Sequence, residues 1–167
     1  MMSFRYFSFA VYTAPGVEEE CLSLQDGHGV DVNILLFCAY AGVVARIMLS
    51  AQDLAAIDRE VAGIREGVIV PLRTCRRAMK QGIAALAREQ AAEAKSLRDR
   101  VKDIELAAEY LEQDRLVAWL ASSERGAADT SSAALGANIG LLLSGHARGG
   151  RNPPYPDNLA RAALSRA

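Results

Sequence analysis

The chain has 167 residues, 51% of them hydrophobic and 23% charged, with a formal net charge of −1. That length supports one domain with a real core and is short for two. A charged fraction near the globular norm excludes wholesale disorder. A net charge this close to zero argues against a strongly basic nucleic-acid binder, though it leaves room for a local basic patch.

Apolar spacing is helical along nearly every long segment, so the expected fold is all-α. It is a compact bundle of about five to seven helices over residues 1–145, followed by a flexible basic tail over 146–167 with room for one weak terminal helix after Asp157. The first segment, Ser3 to Tyr12, is rich in rings and places Phe4, Phe7 and Val11 on one face. Its apolar stretch from Phe7 to Val11 is shorter than the core of a secretory signal. Ala14-Pro15-Gly16 ends it. Glu18, Glu19 and Glu20 then suit the positive end of a second helix, whose buried stripe is Val17, Cys21 and Leu24. Gly27-His28-Gly29 breaks that helix.

Asp31 reads as the N-cap of a third helix, Val32 to Leu49. This helix is apolar almost all round and so takes the centre of the bundle. Its uncharged run, Val32 to Ala45, is too short for a membrane span, and none is expected. Ser50-Ala51-Gln52-Asp53 resembles a capping box. It opens a fourth helix with the seam Leu54, Ile57, Val61, Ile64 and Val68. Gly67 and Pro71 mark a break or kink. A helical stretch from Pro71 to Ser122 follows, with apolar stripes at Leu72, Cys75, Met79, Ile83 and Leu86, and at Leu97, Val101, Ile104, Ala108 and Leu111. One helix of that length would span about 75 Å at about 1.5 Å per residue, so a break or a protruding hairpin is expected near Gln90. The residues 124–132 read as a polar loop. Asp129 or Ser131 then caps a last helix carrying Leu135, Ile139 and Leu142, with Gly136 and Gly140 placed for close approach to a neighbour.

The three cysteines, Cys21, Cys38 and Cys75, are odd in number, far apart and flanked by apolar residues. They read as reduced, buried thiols of a cytoplasmic protein. The spacing Cys21, His28, Cys38 lacks the paired ligands that let short segments wrap a metal ion, so no metal site is assigned. No nucleophile elbow, phosphate loop, dinucleotide fingerprint or EF-hand occurs. No catalytic residue and no cofactor are therefore assigned.

Two polar groupings remain. Gln25, Asp26, Asp31 and Asn33 surround the glycine turn. Capping explains Asp31, but acids at a helix junction also suit a cation or acid/base work. Arg73, Arg76, Arg77 and Lys80 recur at helical spacing and share one side of a helix. Four cations there could hold a phosphate or an acidic partner, or they could pair with the acidic stretch Glu105, Glu109, Glu112 and Asp114. Trp119 and Tyr110 read as packing residues.

The run FSFAVYTAPGVEEECLSLQDGHGVDVNILLFC, together with VIVPLRTCRRAMK, resembles an uncharacterised bacterial family, the domain of unknown function numbered 2390. The likeness is strong from Phe4 to Lys80 and looser through VKDIELAAEYLEQ. It implies a bacterial, cytoplasmic protein and supplies no activity. The first functional expectation is a non-enzymatic protein-interaction or regulatory module. It would bind an unidentified protein through the Arg73 to Lys80 stripe beside the Gln25 to Asn33 turn. A homodimer is a further expectation. The alternatives are a small-molecule or diphosphate-binding enzyme using Asp26 and Asp31 opposite the arginines, and a nucleic-acid binder using stripe and tail.

Overall fold

The computed structural model describes residues 2–122 and 130–167. Among them every regular element is helical: α1 (Phe4–Tyr12), α2 (Val17–His28), α3 (Val32–Val43), α4 (Ala51–Ile64), a π-helical turn (Arg65–Ile69), α5 (Val70–Ile83), α6 (Arg88–Ala121), α7 (Ser131–Gly145) and α8 (Asp157–Leu164). Because α4, the π turn and α5 run on without interruption, these make seven helical stretches, within the expected range. No helix among the described residues is long and apolar enough to cross a membrane.

The central helix is α3, as its all-round apolar sequence requires. Every residue from Asn33 to Val43 is buried. Asp31 caps it, its carboxylate accepting from the amides of Asn33 at 2.8 Å and Ile34 at 3.1 Å. On one side α1 lays Phe4, Phe7 and Val11 against α3. Ring edges meet there, with Phe4 to Phe37 at 5.5 Å and Phe7 to Tyr40 at 5.4 Å between centroids. On another side α3 packs most extensively on α7. Gly42 makes that closeness available, because a Cβ there would lie 2.7 Å from the Leu135 nitrogen. The small-residue contact is thus on α3. Gly136 and Gly140, expected to supply it, have nothing within 4 Å of a built Cβ.

Several element ends differ from expectation for local reasons. α2 runs through Gly27 and His28 and stops at Gly29, which has φ +72°. α3 ends at Val43, because the Val44 and Ala45 amides both turn back to the Tyr40 carbonyl and Arg46 takes φ 55°. Asn138 of α7 ties down the segment that follows. It accepts from Leu49 N at 2.7 Å and donates to the carbonyls of Ile47 at 2.9 Å and Cys38 at 3.2 Å. The capping box at Ser50 and Asp53 is present in both directions. α7 is capped by the Thr130 hydroxyl, with Ser131 its first residue; Asp129, the other proposed cap, lies outside the described residues, as does most of the polar loop.

The π turn explains a shift of register. A single π turn inserts an extra residue into the helical phase. The seam of Ile57 and Val61 therefore continues at Ile69, which is buried, while Val68 turns outward. Gly67 and Pro71 accompany this turn without breaking the helix. Beyond it, α5 and α6 form a hairpin whose turn falls at 84–87, slightly before the expected position. α6 has 34 residues, about 51 Å at about 1.5 Å per residue. No residue of α5 is buried, and Cys75 is exposed, so only Cys21 and Cys38 are the buried thiols expected.

The tail also departs from expectation. The terminal helix expected after Asp157 forms as α8, but it is docked and not part of a flexible extension: Leu159, Ala160 and Ala163 are buried in the core. Its first amides, Asn158 N and Leu159 N, donate to the two carboxylate oxygens of Glu20 at 2.9 and 3.0 Å. A helix start lacking its own cap is satisfied from α2. The apolar i, i+1, i+4 pattern of Leu159, Ala160 and Ala163 outweighs the glycine- and proline-rich lead-in.

Candidate functional site

The elements converge on a cleft of about 900 Å³ walled by α1, the α2–α3 turn, the π turn, α5 and α6. Its chemistry depends on the rotation of α6. The large apolar residues Leu97, Ile104 and Leu111, expected as its seam, are 51–57% exposed. The buried face is Glu105, Ala108, Glu112, Gln113 and Leu116. α6 has turned its acids inward because the basic face of α5 and the amide of Asn33 lie there.

On the α5 side, Arg73 donates Nε to Glu105 at 3.2 Å, Nη2 to Glu109 at 2.9 Å and Nη1 to Gln25 at 2.6 Å. Arg76 grips both oxygens of Glu105. Burial would raise the Glu105 carboxyl, but the hydrogen bonds from Arg76 and Arg73 outweigh it and hold Glu105 below the ordinary glutamate range. Glu109 goes the other way: burial raises it despite Arg73. A doubly held, desolvated carboxylate of this kind is costly to break, about 3–5 kcal/mol if one partner is removed.

On the α3 side an amide chain runs in one direction. Gln113 Nε2 donates to Asn33 Oδ1 at 3.0 Å, and Asn33 Nδ2 donates to Glu112 Oε2 at 2.7 Å. Asp31 lies close enough to Glu112 to act on its carboxyl. Burial, then the charge of Asp31, pushes Glu112 up to about 8. Burial and the neighbouring Asp31 charge thus favour the protonated form of Glu112. Arg65 of the π turn approaches Asp31 at 3.8 Å but is committed to Asp58 at 2.7 Å and to Glu66. Two buried polar atoms on the cleft wall, Gln113 Oε1 and Ser8 Oγ, have no hydrogen-bond partner. Glu112 Oε1 likewise receives no protein N–H or O–H.

Of the residues singled out in sequence, Gln25, Asp31, Asn33, Arg73, Arg76 and Arg77 do meet on this cleft. Asp26 stands outside its wall, paired with Arg77 at 2.8 Å, and Arg77 lowers its carboxyl. Lys80 is exposed further along α5, also outside the wall. Asp26 thus meets the stripe through Arg77, while Arg76 is taken by Glu105. Ser8, Arg65, Glu112 and Gln113 were missed as site residues. The available signal for Glu112 was its 3, 4, 4 spacing with Glu105, Ala108 and Leu116.

Residues 4–116 match the family described as Protein of unknown function (DUF2390). The chain belongs to that family. No curated protein and no solved structure matches it. The DUF2390 stretch spans α1 to most of α6 and so contains the acids, amides and arginines just described, while α7 and α8 lie beyond it.

Proposed function

We propose that the protein is a small-molecule-binding module that takes an organic ligand into the cleft between α1, α3 and the α5–α6 hairpin. The observation that carries this is the pair Ser8 and Gln113. Both side chains are more than nine-tenths buried, both line the cleft, and each leaves an oxygen without a partner. Buried polar atoms are normally satisfied, since leaving one unmade costs about 1–3 kcal/mol. The volume falls within the range of about 300–1,000 Å³ typical of ligand sites, and convergent polar groups under an apolar rim are their usual composition. The reduced state of Cys21 and Cys38, buried thiols pushed up to about 12, supports placing the module in the cytoplasm.

A thermal-shift screen of small organic compounds on the intact chain tests the reading. A ligand present at about 100 times its dissociation constant adds about 2.7 kcal/mol, a rise of several degrees in Tm for a protein this size. Ser8→Ala removes an unpaired hydroxyl, so it should leave the unliganded protein as stable or more stable while weakening the ligand. Phe9→Ala, at an exposed position on the rim, should leave Tm unchanged and also weaken it. A screen without hits, or hits that ignore both changes, would overturn the proposal.

A second reading, the protein-interaction module, draws support from a different surface. Leu97, Ile104 and Leu111 recur every seven residues on α6 and are more than half exposed. The arginine stripe lends less, because Arg73 and Arg76 are committed to acids of α6, which also weakens a phosphate or nucleic-acid role. Changing the three apolar residues to Ser and comparing sedimentation and captured partners would decide this reading.

A further inference from the structure

The cleft's free hydrogen-bonding capacity has a sign. Its arginines are committed to acids: Arg73 bonds Glu105, Gln25 and Glu109 through its three nitrogens, Arg76 holds both oxygens of Glu105, and Arg65 is bound to Asp58 and Glu66. Of the other cations lining the cleft, Arg5 and Arg77 are paired with Asp114 and Asp26, and Lys102 is exposed with no acid partner among the described residues. The acceptors are open. The amide chain from Gln113 through Asn33 to Glu112 begins in Gln113 Oε1, which can only accept. Ser8 Oγ is free to accept or to donate, and Glu112 Oε1 receives no protein N–H or O–H. The rim above these acceptors is apolar, with Phe9, Leu22 and Leu106 exposed and lining the same cleft.

We propose that the ligand is an organic cation: an alkylammonium whose N–H groups reach Glu112, Gln113 and Ser8 while its apolar body lies along Phe9, Leu22 and Leu106. This rests on the cleft-binding reading above. Charge-assisted bonds from an ammonium to buried oxygens are among the strong ones. An ammonium beside Glu112 takes the place of the proton that Glu112 carries. That proton leaves to solvent as the cation enters, and no bond other than O–H is broken. The charged groups that act on Glu112 are Asp31 at the start of α3 and Arg65 of the π turn, with Glu105, Glu109 and Arg73 lining the same cleft. Of these, Arg65 and Arg73 are already neutralised by their own acids.

The probes are hexylammonium, hexanoate and 1-hexanol, which share one apolar body and differ only in the head. They are titrated calorimetrically into the intact chain at pH 7, in two buffers of different ionisation enthalpy. The expected result is binding of hexylammonium alone, with proton release. Glu112→Gln keeps the shape of the protonated acid. It should weaken hexylammonium about tenfold or more and abolish the proton release, with a circular dichroism spectrum and a melt at pH 6 like those of the parent. Ser8→Ala should weaken it by a smaller factor. Hexanoate or hexanol binding as well as the amine would overturn the cation assignment while leaving a ligand cleft in place. Hexylammonium binding unchanged by Glu112→Gln, or no binding by any probe, would overturn it too. The cleft-binding reading then stands or falls on its own compound screen and Ser8→Ala.

Discussion

The α3–α7 pair and the α5–α6 hairpin have similar helical periodicity but opposite burial. In the first, α3 is buried on every side and Gly42 lets two backbones touch. In the second, α5 has no buried residue, and α6 hides Glu105 and Glu112 while showing Leu97, Ile104 and Leu111. Burying α3 all round satisfies apolar area, about 25 cal/mol per Å² removed from water. The hairpin is held instead by charges that must stay paired. The cleft lies on the boundary between these regions, where Asn33 is the first polar residue of the apolar helix and Glu112 is a buried acid one turn before Leu116 of α6. A site on such a boundary has rigid support on one side and ionisable groups on the other.

The comparison is broken most severely at Gly42. Gly42→Ala would push a Cβ against the α7 backbone, which has no flexible end to yield. We expect a loss of about 3 kcal/mol, the upper range for overpacking, visible as a fall in Tm of about 6–12 °C. Asn138→Ala comes next. It leaves the buried Leu49 amide and the Ile47 carbonyl unpaired, and at about 1–2 kcal/mol for each group the urea midpoint should drop by the equivalent of about 2–3 kcal/mol. A parent-like midpoint would show that the segment after α3 is not held by this side chain.

The boundary itself is tested by pH. Glu112 is raised from the ordinary glutamate value of 4.5 to about 8 in the folded chain. The folded state therefore binds a proton that the unfolded state has released between these values. Stability from this group is complete below about 4.5 and is lost as pH rises through about 8. Glu112→Gln cannot ionise. Its stability relative to the parent should be close at pH 5 and should exceed it at pH 9, by up to about 4 kcal/mol at about 1.4 kcal/mol per pKa unit. Chemical denaturation of both proteins at the two pH values measures this. A constant difference would place the titrating proton elsewhere.

How much of this was legible in the chain depends on which signals are local. The helices, the Asp31 cap, the Ser50–Asp53 box and the central place of α3 rest on spacing and on cap residues within one turn, and all can be read directly. The phase of α6 cannot. Leu97, Ile104 and Leu111 form as regular a stripe as Glu105, Ala108 and Glu112, and propensity favours burying the leucines. The opposite choice is made by partners distant in sequence, Arg73, Arg76 and Asn33. The π turn has the same character, since it moves the seam from Val68 to Ile69 without a residue that announces it. The pairing of the arginine stripe with the α6 acids was one of the two outcomes read from sequence; its meeting with the Gln25 to Asn33 turn needed the fold.

The smallest expected effect sharpens the contrast from the other side. Gly82, near the end of α5, has no atom within 4 Å of a built Cβ and no positive φ. Gly82→Ala therefore meets no clash and removes the conformational cost of a helical glycine. The gain should be about 0.5 kcal/mol, half the mid-helix value because the position lies in the last turn. The same chemical change thus has opposite signs at two glycines. At Gly42 the space was already filled by α7, and at Gly82 the hairpin leaves it open. Thermal melts of the two variants side by side measure this difference. Should Gly82→Ala instead destabilise, the hairpin would have a packing partner at its tip in solution, and its stability could no longer be assigned to paired charges alone.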